Sequence, residues 1–177
     1  MALKPTIYKV ALNLVDMDRN NYQQCKLVLV QHPSETLERM MVRLMVYGLN
    51  QAEDLEFSRG LSATDEPDLW LIRPDGAVDH WIEVGQASTD RIRKAISRAP
   101  RVSLYAYGSE TDIWWEKNGA DLSIFPKLEV FRFNWQEVQA LSAFVARNME
   151  VTLTIMDGEL FLADDQHQVT LQVESLN

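Results

Sequence analysis

Two acidic side chains stand where acids are costly. Asp68 leads into Leu69-Trp70-Leu71-Ile72, and Glu83 sits in the apolar run Trp81-Ile82-Glu83-Val84. A carboxylate in a strand built for burial is unfavourable unless a cation or a metal faces it. Shortly afterwards Arg91, Lys94 and Arg98 recur at i, i+3 and i+7, with Arg93 and Arg101 close by. Such a stripe suits a phosphate-bearing ligand; it is equally the composition of a solvated helix face.

The elements that must position these groups follow from the surrounding pattern. Leu69–Arg73 and Val78–Val84 read as strands, with Pro74-Asp75-Gly76 as turn chemistry between them. A four-residue loop, Pro74 to Ala77, pairs Arg73 with Val78, sets Asp68 opposite Glu83 and faces Trp70 with Trp81. A three-residue loop slips the register by one and turns every side chain of one strand to the other face. The first register is expected, because it also pairs the two indoles across the strands. Thr89 or Asp90 caps the next helix, whose apolar positions are Ile92, Ala95, Ile96 and Ala99. Val102, Leu104 and Ala106 share one face of the strand that follows, so a right-handed crossover is expected.

Upstream, Pro33 and Ser34 open a helix with a stripe of Leu37, Met40, Met41, Leu44 and Gly48. Glu35, Arg39 and Arg43 follow at i, i+4 and i+8, favourable for ion pairing. Glu38 is in line with Val42, Met45 and Leu49, which makes it the acid least like surface decoration; a salt bridge to Arg59 or to the basic helix is its structural reading. Leu55–Leu61 starts the sheet. Arg59 is a candidate clamp for phosphate or carboxylate, with a structural ion pair the commoner use. Ser109 and Asp112 resemble a capping box for the helix bearing Trp114 and Trp115, with Gly119 as its stop. Leu128–Phe133 reads as a strand, and Asn134 with Glu137 caps a last helix buried through Val138, Leu141, Phe144 and Val145.

Strand patterns also occupy both ends. Pro5–Val15 alternates and Tyr22–Gln31 returns; Val151–Met156 and Glu159–Ala163 flank Asp157-Gly158, a strong hairpin signal. Val169–Val173 alternates again. Isolated hairpins are marginal, so the terminal strands are expected to join in one antiparallel sheet. A net charge of −9 argues against bulk adhesion to nucleic acid or anionic membrane and confines any polyanion contact to a local patch. One cysteine, Cys25, excludes an intrachain disulfide and fits a reducing cytoplasm. No signal-peptide core or membrane-spanning run is present. His32, His80 and His167 lack zinc spacing, and the five tryptophans read as core rather than as base-stacking platforms. Phosphate loops, dinucleotide fingerprints and nucleophile elbows are missing.

Helix Glu, Pro-Asp, then a strand ending in Glu resembles the PD-(D/E)XK nuclease superfamily, whose core runs αβββαβ. More narrowly, His32-Pro33-Ser34-Glu35-Thr36, Glu38-Arg39-Met40, Phe57-Ser58-Arg59-Gly60-Leu61, Glu66-Pro67-Asp68, Trp81-Ile82-Glu83 and Ile113-Trp114-Trp115 resemble the YaeQ family of small bacterial proteins, over essentially the whole chain. The resemblance implies an α/β fold with a mixed α+β sheet in a single domain, 1–177. Within it, 33–148 forms the nuclease-like core, and 5–31 plus 150–174 an antiparallel lobe.

It further implies Mg²⁺ or Mn²⁺ held by Glu38, Asp68 and Glu83. The superfamily lysine two residues after the acid is replaced, since Glu83-Val84-Gly85 places glycine there. Lys94, or less readily Gln86, is the candidate to supply the missing polar group beside Asp68 and Glu83, with Arg59, Arg91 and Arg98 on ligand phosphate. The expected function is a metal-dependent phosphodiesterase acting on nucleic acid bound by the basic helix from Arg91 to Arg101. The alternatives are a catalytically inactive nuclease-fold module that binds protein or nucleic acid, and a small-molecule enzyme using the same acids.

Overall fold

The computed structural model describes residues 3–177. In chain order its elements are β1 (Thr6–Asp16), β2 (Asn21–Gln31), α1 (Leu37–Asn50), β3 (Leu55–Phe57), β4 (Leu69–Ile72) and β5 (Val78–Val84). Then come α2 (Thr89–Arg98), β6 (Arg101–Ala106), α3 (Thr111–Leu122), β7 (Leu128–Phe133), α4 (Trp135–Ala140), β8 (Asn148–Met156), β9 (Glu159–Ala163) and β10 (Gln168–Ser175). The fold is mixed α+β. The chain divides into two compact units: residues up to Leu49 with Gln136–Val173, and Asn50–Trp135 with Glu174–Asn177. α1 up to Leu49 and residues 136–148 therefore group with the terminal strands, a partition different from a 33–148 core.

In the first unit the strand order is β2-β1-β8-β9-β10. The hairpins β1–β2, β8–β9 and β9–β10 are antiparallel, as their short polar turns require. β1 and β8, however, run parallel, with Leu12 opposite Val151. The wholly antiparallel lobe expected from the sequence is thus corrected to a mixed sheet. More than a hundred residues separate β2 from β8, so no turn dictates their direction, and parallel neighbours need only such a long connection. Val10, Leu12 and Leu14 of β1, with Met149, Val151, Leu153 and Ile155 of β8, are buried. α1 comes close enough that a methyl group on Gly48 would lie 2.3 Å from Leu153 Cδ2.

α1 begins later than its sequence signals indicate. Thr36 Oγ1 accepts from the Arg39 amide at 3.2 Å and acts as the cap, while Pro33 and Ser34 belong to a preceding turn closed by Glu35 N–H to His32 C=O. Glu35 is therefore outside the helix, and Arg39 and Arg43 converge on it (2.7–2.9 Å).

In the second unit the order is β7-β6-β5-β4-β3. β3–β4 and β4–β5 are antiparallel; β5–β6 and β6–β7 are parallel and are joined through α2 and α3. The core against these helices contains Trp81, Ile92, Ala95, Val102, Leu104, Trp114, Leu122 and Val130. Full burial of each large aliphatic side chain contributes about 1.5–3 kcal/mol before entropy is charged, which fixes α2 against β5 and β6. Ser88, one residue before the expected caps, caps α2 by accepting from the Arg91 amide. α3 does not stop at Gly119; it continues to Leu122, and the missing Cβ there makes room for the Trp115 indole.

Candidate functional site

The hairpin β4–β5 places the two acids. Leu69, Trp70 and Leu71 pair with Ile82, Trp81 and His80, but Ile72 pairs with Val78, leaving Asp79 as an extra residue. The loop is closed by Arg73 N–H to Ala77 C=O, so it spans Pro74–Gly76. The four-residue loop and the Arg73–Val78 pair are corrected: a three-residue loop forms, and a bulge at Asp79 restores the register it would have lost. Trp70 and Trp81 meet edge to face, their ring centroids 6.2 Å apart. One step further along this register, the Asp68 amide donates to Ile82 C=O at 3.0 Å and Asp68 Oδ2 accepts from the Val84 amide at 2.8 Å. Those two bonds bracket Glu83 and set the acids opposite each other.

Both acids are buried. Glu83 Oε1 accepts from Trp81 Nε1 at 2.7 Å and from Arg91 Nε at 2.9 Å. Burial, and then the negative charge of Asp68, push the Glu83 carboxyl up to about 7; Arg91 and Trp81 pull the other way without cancelling them. Trp81 is thus more than core, a role legible in the i, i+2 spacing that puts Trp81 and Glu83 on one strand face.

The remaining candidates occupy varied positions. Arg91 reaches Glu83 through Nε and the Thr64 and Glu66 carbonyls through its two terminal nitrogens. Arg98 lies over the Trp81 ring and donates to Asp65 C=O. Arg59 pairs with the Glu66 carboxylate at 2.8 Å, the structural use of such an arginine. Gln86 Nε2 donates to Tyr107 C=O at 3.1 Å. Lys94 is exposed, and no hydrogen bond or ion pair engages its ammonium among the described residues. Gly85 has φ +111°, a backbone that side-chain-bearing residues rarely adopt. Glu38 is half-buried on α1 in the first unit.

A metal ion in the expected set needs three converging acids. Among the described residues no group of three or more His, Cys, Asp or Glu side chains could hold one. Asp68 and Glu83 form a pair, and Arg91 Nε lies 2.9 Å from Glu83 Oε1.

Fold and site together define a mixed α+β protein with an opposed, buried carboxylate pair on a β-hairpin. The chain belongs to the YaeQ family, whose model, described as YaeQ protein, matches residues 1–173. The YaeQ proteins of Escherichia coli K12 and Salmonella typhi are each 41% identical over 174 residues, covering 98% of this chain and 96% of theirs. The crystal structure of YaeQ from Xanthomonas axonopodis pv. citri is similar with a TM-score of 0.95 at 39% identity, covering 98% of this chain and 99% of that one. The YaeQ structure from Pseudomonas syringae gives 0.93 at 38%, covering 98% and 96%. No helix among the described residues is long and apolar enough to cross a membrane.

Proposed function

We propose that this chain is a cytoplasmic PD-(D/E)XK nuclease-like protein that binds nucleic acid without cleaving it. The element succession α1-β3-β4-β5-α2-β6 follows the αβββαβ order of that superfamily, and Pro67-Asp68 with Glu83 occupies the acidic positions of its motif. The observation that carries the non-catalytic reading is Arg91 Nε on Glu83 Oε1 at 2.9 Å: a guanidinium already supplies positive charge to the acid. Gly85 adds to it, because its φ of +111° disfavours a lysine there. Binding falls to the outer side of α2, where Arg93, Lys94 and Arg98 are exposed. Their contacts would be to the phosphate backbone, independent of sequence and strongly salt-dependent.

One observation favours cleavage as a second reading. Burial, and then the charge of Asp68, hold the Glu83 carboxyl up at about 7 despite Arg91, in the range where a carboxylate serves as a general base or acid. Mg²⁺ or Mn²⁺ bound there would supply Lewis-acid stabilisation of a phosphate and an activated water. The deciding experiment incubates wild-type protein with short DNA and RNA, single- and double-stranded, with Mn²⁺ or Mg²⁺, beside binding titrations at several salt concentrations. The expected result is salt-sensitive binding, no cleavage and a melting temperature indifferent to either ion. Metal-dependent cleavage that disappears in Asp68→Asn overturns the non-catalytic reading.

A further inference from the structure

After the short 3-10 turn Gly60–Ser62, the chain passes along α2 before entering β4. Two guanidiniums of α2 take three successive backbone carbonyls there. Arg91 Nη1 donates to Thr64 C=O, Arg91 Nη2 donates to Glu66 C=O at 2.5 Å, and Arg98 Nη1 donates to Asp65 C=O at 3.0 Å. The same segment is also held by Arg59 Nε on the Glu66 carboxylate at 2.8 Å. Its side chains include Asp65, which is exposed, and Glu66. An acidic stretch therefore lies against the most basic helix of an acidic protein, and uses up guanidinium donors with neutral oxygens.

That pairing is a weak one for arginine. A guanidinium bonds an ionised phosphate oxygen about twice as strongly as a neutral carbonyl, and takes it in forked geometry. A phosphate arriving at α2 would exchange carbonyl bonds for charge-assisted ones and remove Asp65 and Glu66 from its own vicinity. We propose that residues 63–66 are an internal strap that competes with nucleic-acid phosphate for Arg91 and Arg98. The inference rests on the binding reading above and adds its regulation. Apparent affinity is the intrinsic affinity scaled by the fraction of molecules with the strap released, and the Arg59–Glu66 pair helps to set that fraction.

Arg59→Ala gives the discriminating test. It deletes a positive charge from a side chain that is 70% exposed, so simple electrostatics, or a direct role for Arg59 on phosphate, makes binding to a short DNA duplex weaker. The strap makes it tighter, by about two- to fivefold, the equivalent of one exposed ion pair. Hydrogen exchange provides the second measurement. The amides of Ala63 and Glu66, bonded to Gly60 C=O and Ala63 C=O, should exchange faster in wild type when the duplex is added. Equal or weaker binding by Arg59→Ala, or exchange at these amides that is unchanged or slowed by DNA, overturns the strap. Failure of both proteins to bind duplex at low salt overturns the strap and the binding reading together. Cleavage of the duplex by wild type overturns only the non-catalytic reading, while the sign of the Arg59→Ala effect still decides the strap.

Discussion

Glu35 and Glu83 are both buried carboxylates that accept an arginine, and their surroundings are opposite. Glu35 is one acid with two guanidiniums: Arg43 forks onto both oxygens at 2.7 and 2.9 Å, and Arg39 adds a bond at 2.8 Å. Glu83 shares its site with Asp68, whose charge raises it, and accepts from Arg91 at 2.9 Å. Glu35 faces two cations, whereas Glu83 faces a like charge as well as a cation. Buried ion pairs persist where the partners satisfy each other. The first arrangement holds α1 to the turn before it. The second sets two buried acids together and raises the Glu83 carboxyl, and a perturbed acid of this kind is where a functional site is to be sought.

The largest effect expected from this contrast is in the balanced cluster. Arg43→Ala should lower the unfolding free energy by about 3–5 kcal/mol, because it removes the fork and leaves a buried acid to Arg39. Urea denaturation measures it, and a loss below about 1 kcal/mol would mean that Arg39 alone suffices to neutralise Glu35.

Next comes Glu83, through pH. Its carboxyl lies near 7 in the folded protein against an ordinary 4.5, so the folded state holds that proton more tightly than the unfolded state. The sign follows: this contribution to stability is fully present below pH 4.5 and is lost as pH rises through about 7. The loss amounts to as much as about 3 kcal/mol. Glu83→Gln should abolish it, so the variant gains on wild type across that window when unfolding is followed at closely spaced pH values. Stability curves that stay parallel would show that Arg91 compensates Glu83 fully.

A smaller effect attends Gly85, which follows the acid by two residues. Gly85→Lys should destabilise by about 1–2 kcal/mol from backbone strain alone, since no heavy atom lies within 4 Å of where a Cβ would stand. Gly85→Ala should cost the same. A cost confined to the lysine variant would point instead to its charge.

Smallest of all is Lys94→Ala. An exposed, unengaged side chain should change stability by no more than about 0.5 kcal/mol. It should nevertheless reduce the salt slope of DNA binding by about one unit, as loss of a single phosphate contact does. An unchanged slope would remove Lys94 from the binding face.

Local signals in the chain were enough for the elements and for the pairing of the acids. Alternation in Pro5–Val15, turn residues at Asp157-Gly158, and the helical spacing of Ile92, Ala95 and Ala99 are set by the periods of strand and helix and by turn chemistry. The alignment of Trp70 with Trp81, and hence of Asp68 with Glu83, was legible because cross-strand packing favours one register. The loop that achieves it was not: the bulge at Asp79 leaves no mark in a composition of Val-Asp-His, and two errors of one residue cancel. The parallel pairing of β1 with β8 and the grouping of α1 with the terminal strands were settled only in three dimensions, since they join segments distant in sequence. So was the fate of the arginines. Charge pattern placed Arg91, Lys94 and Arg98 on one stripe, but a helix rotation of a few tens of degrees separates a side chain that reaches Glu83 from one that reaches solvent. That rotation is set by the burial of Ile92 and Ala95 against β5 and β6, a packing decision that no spacing of charges records.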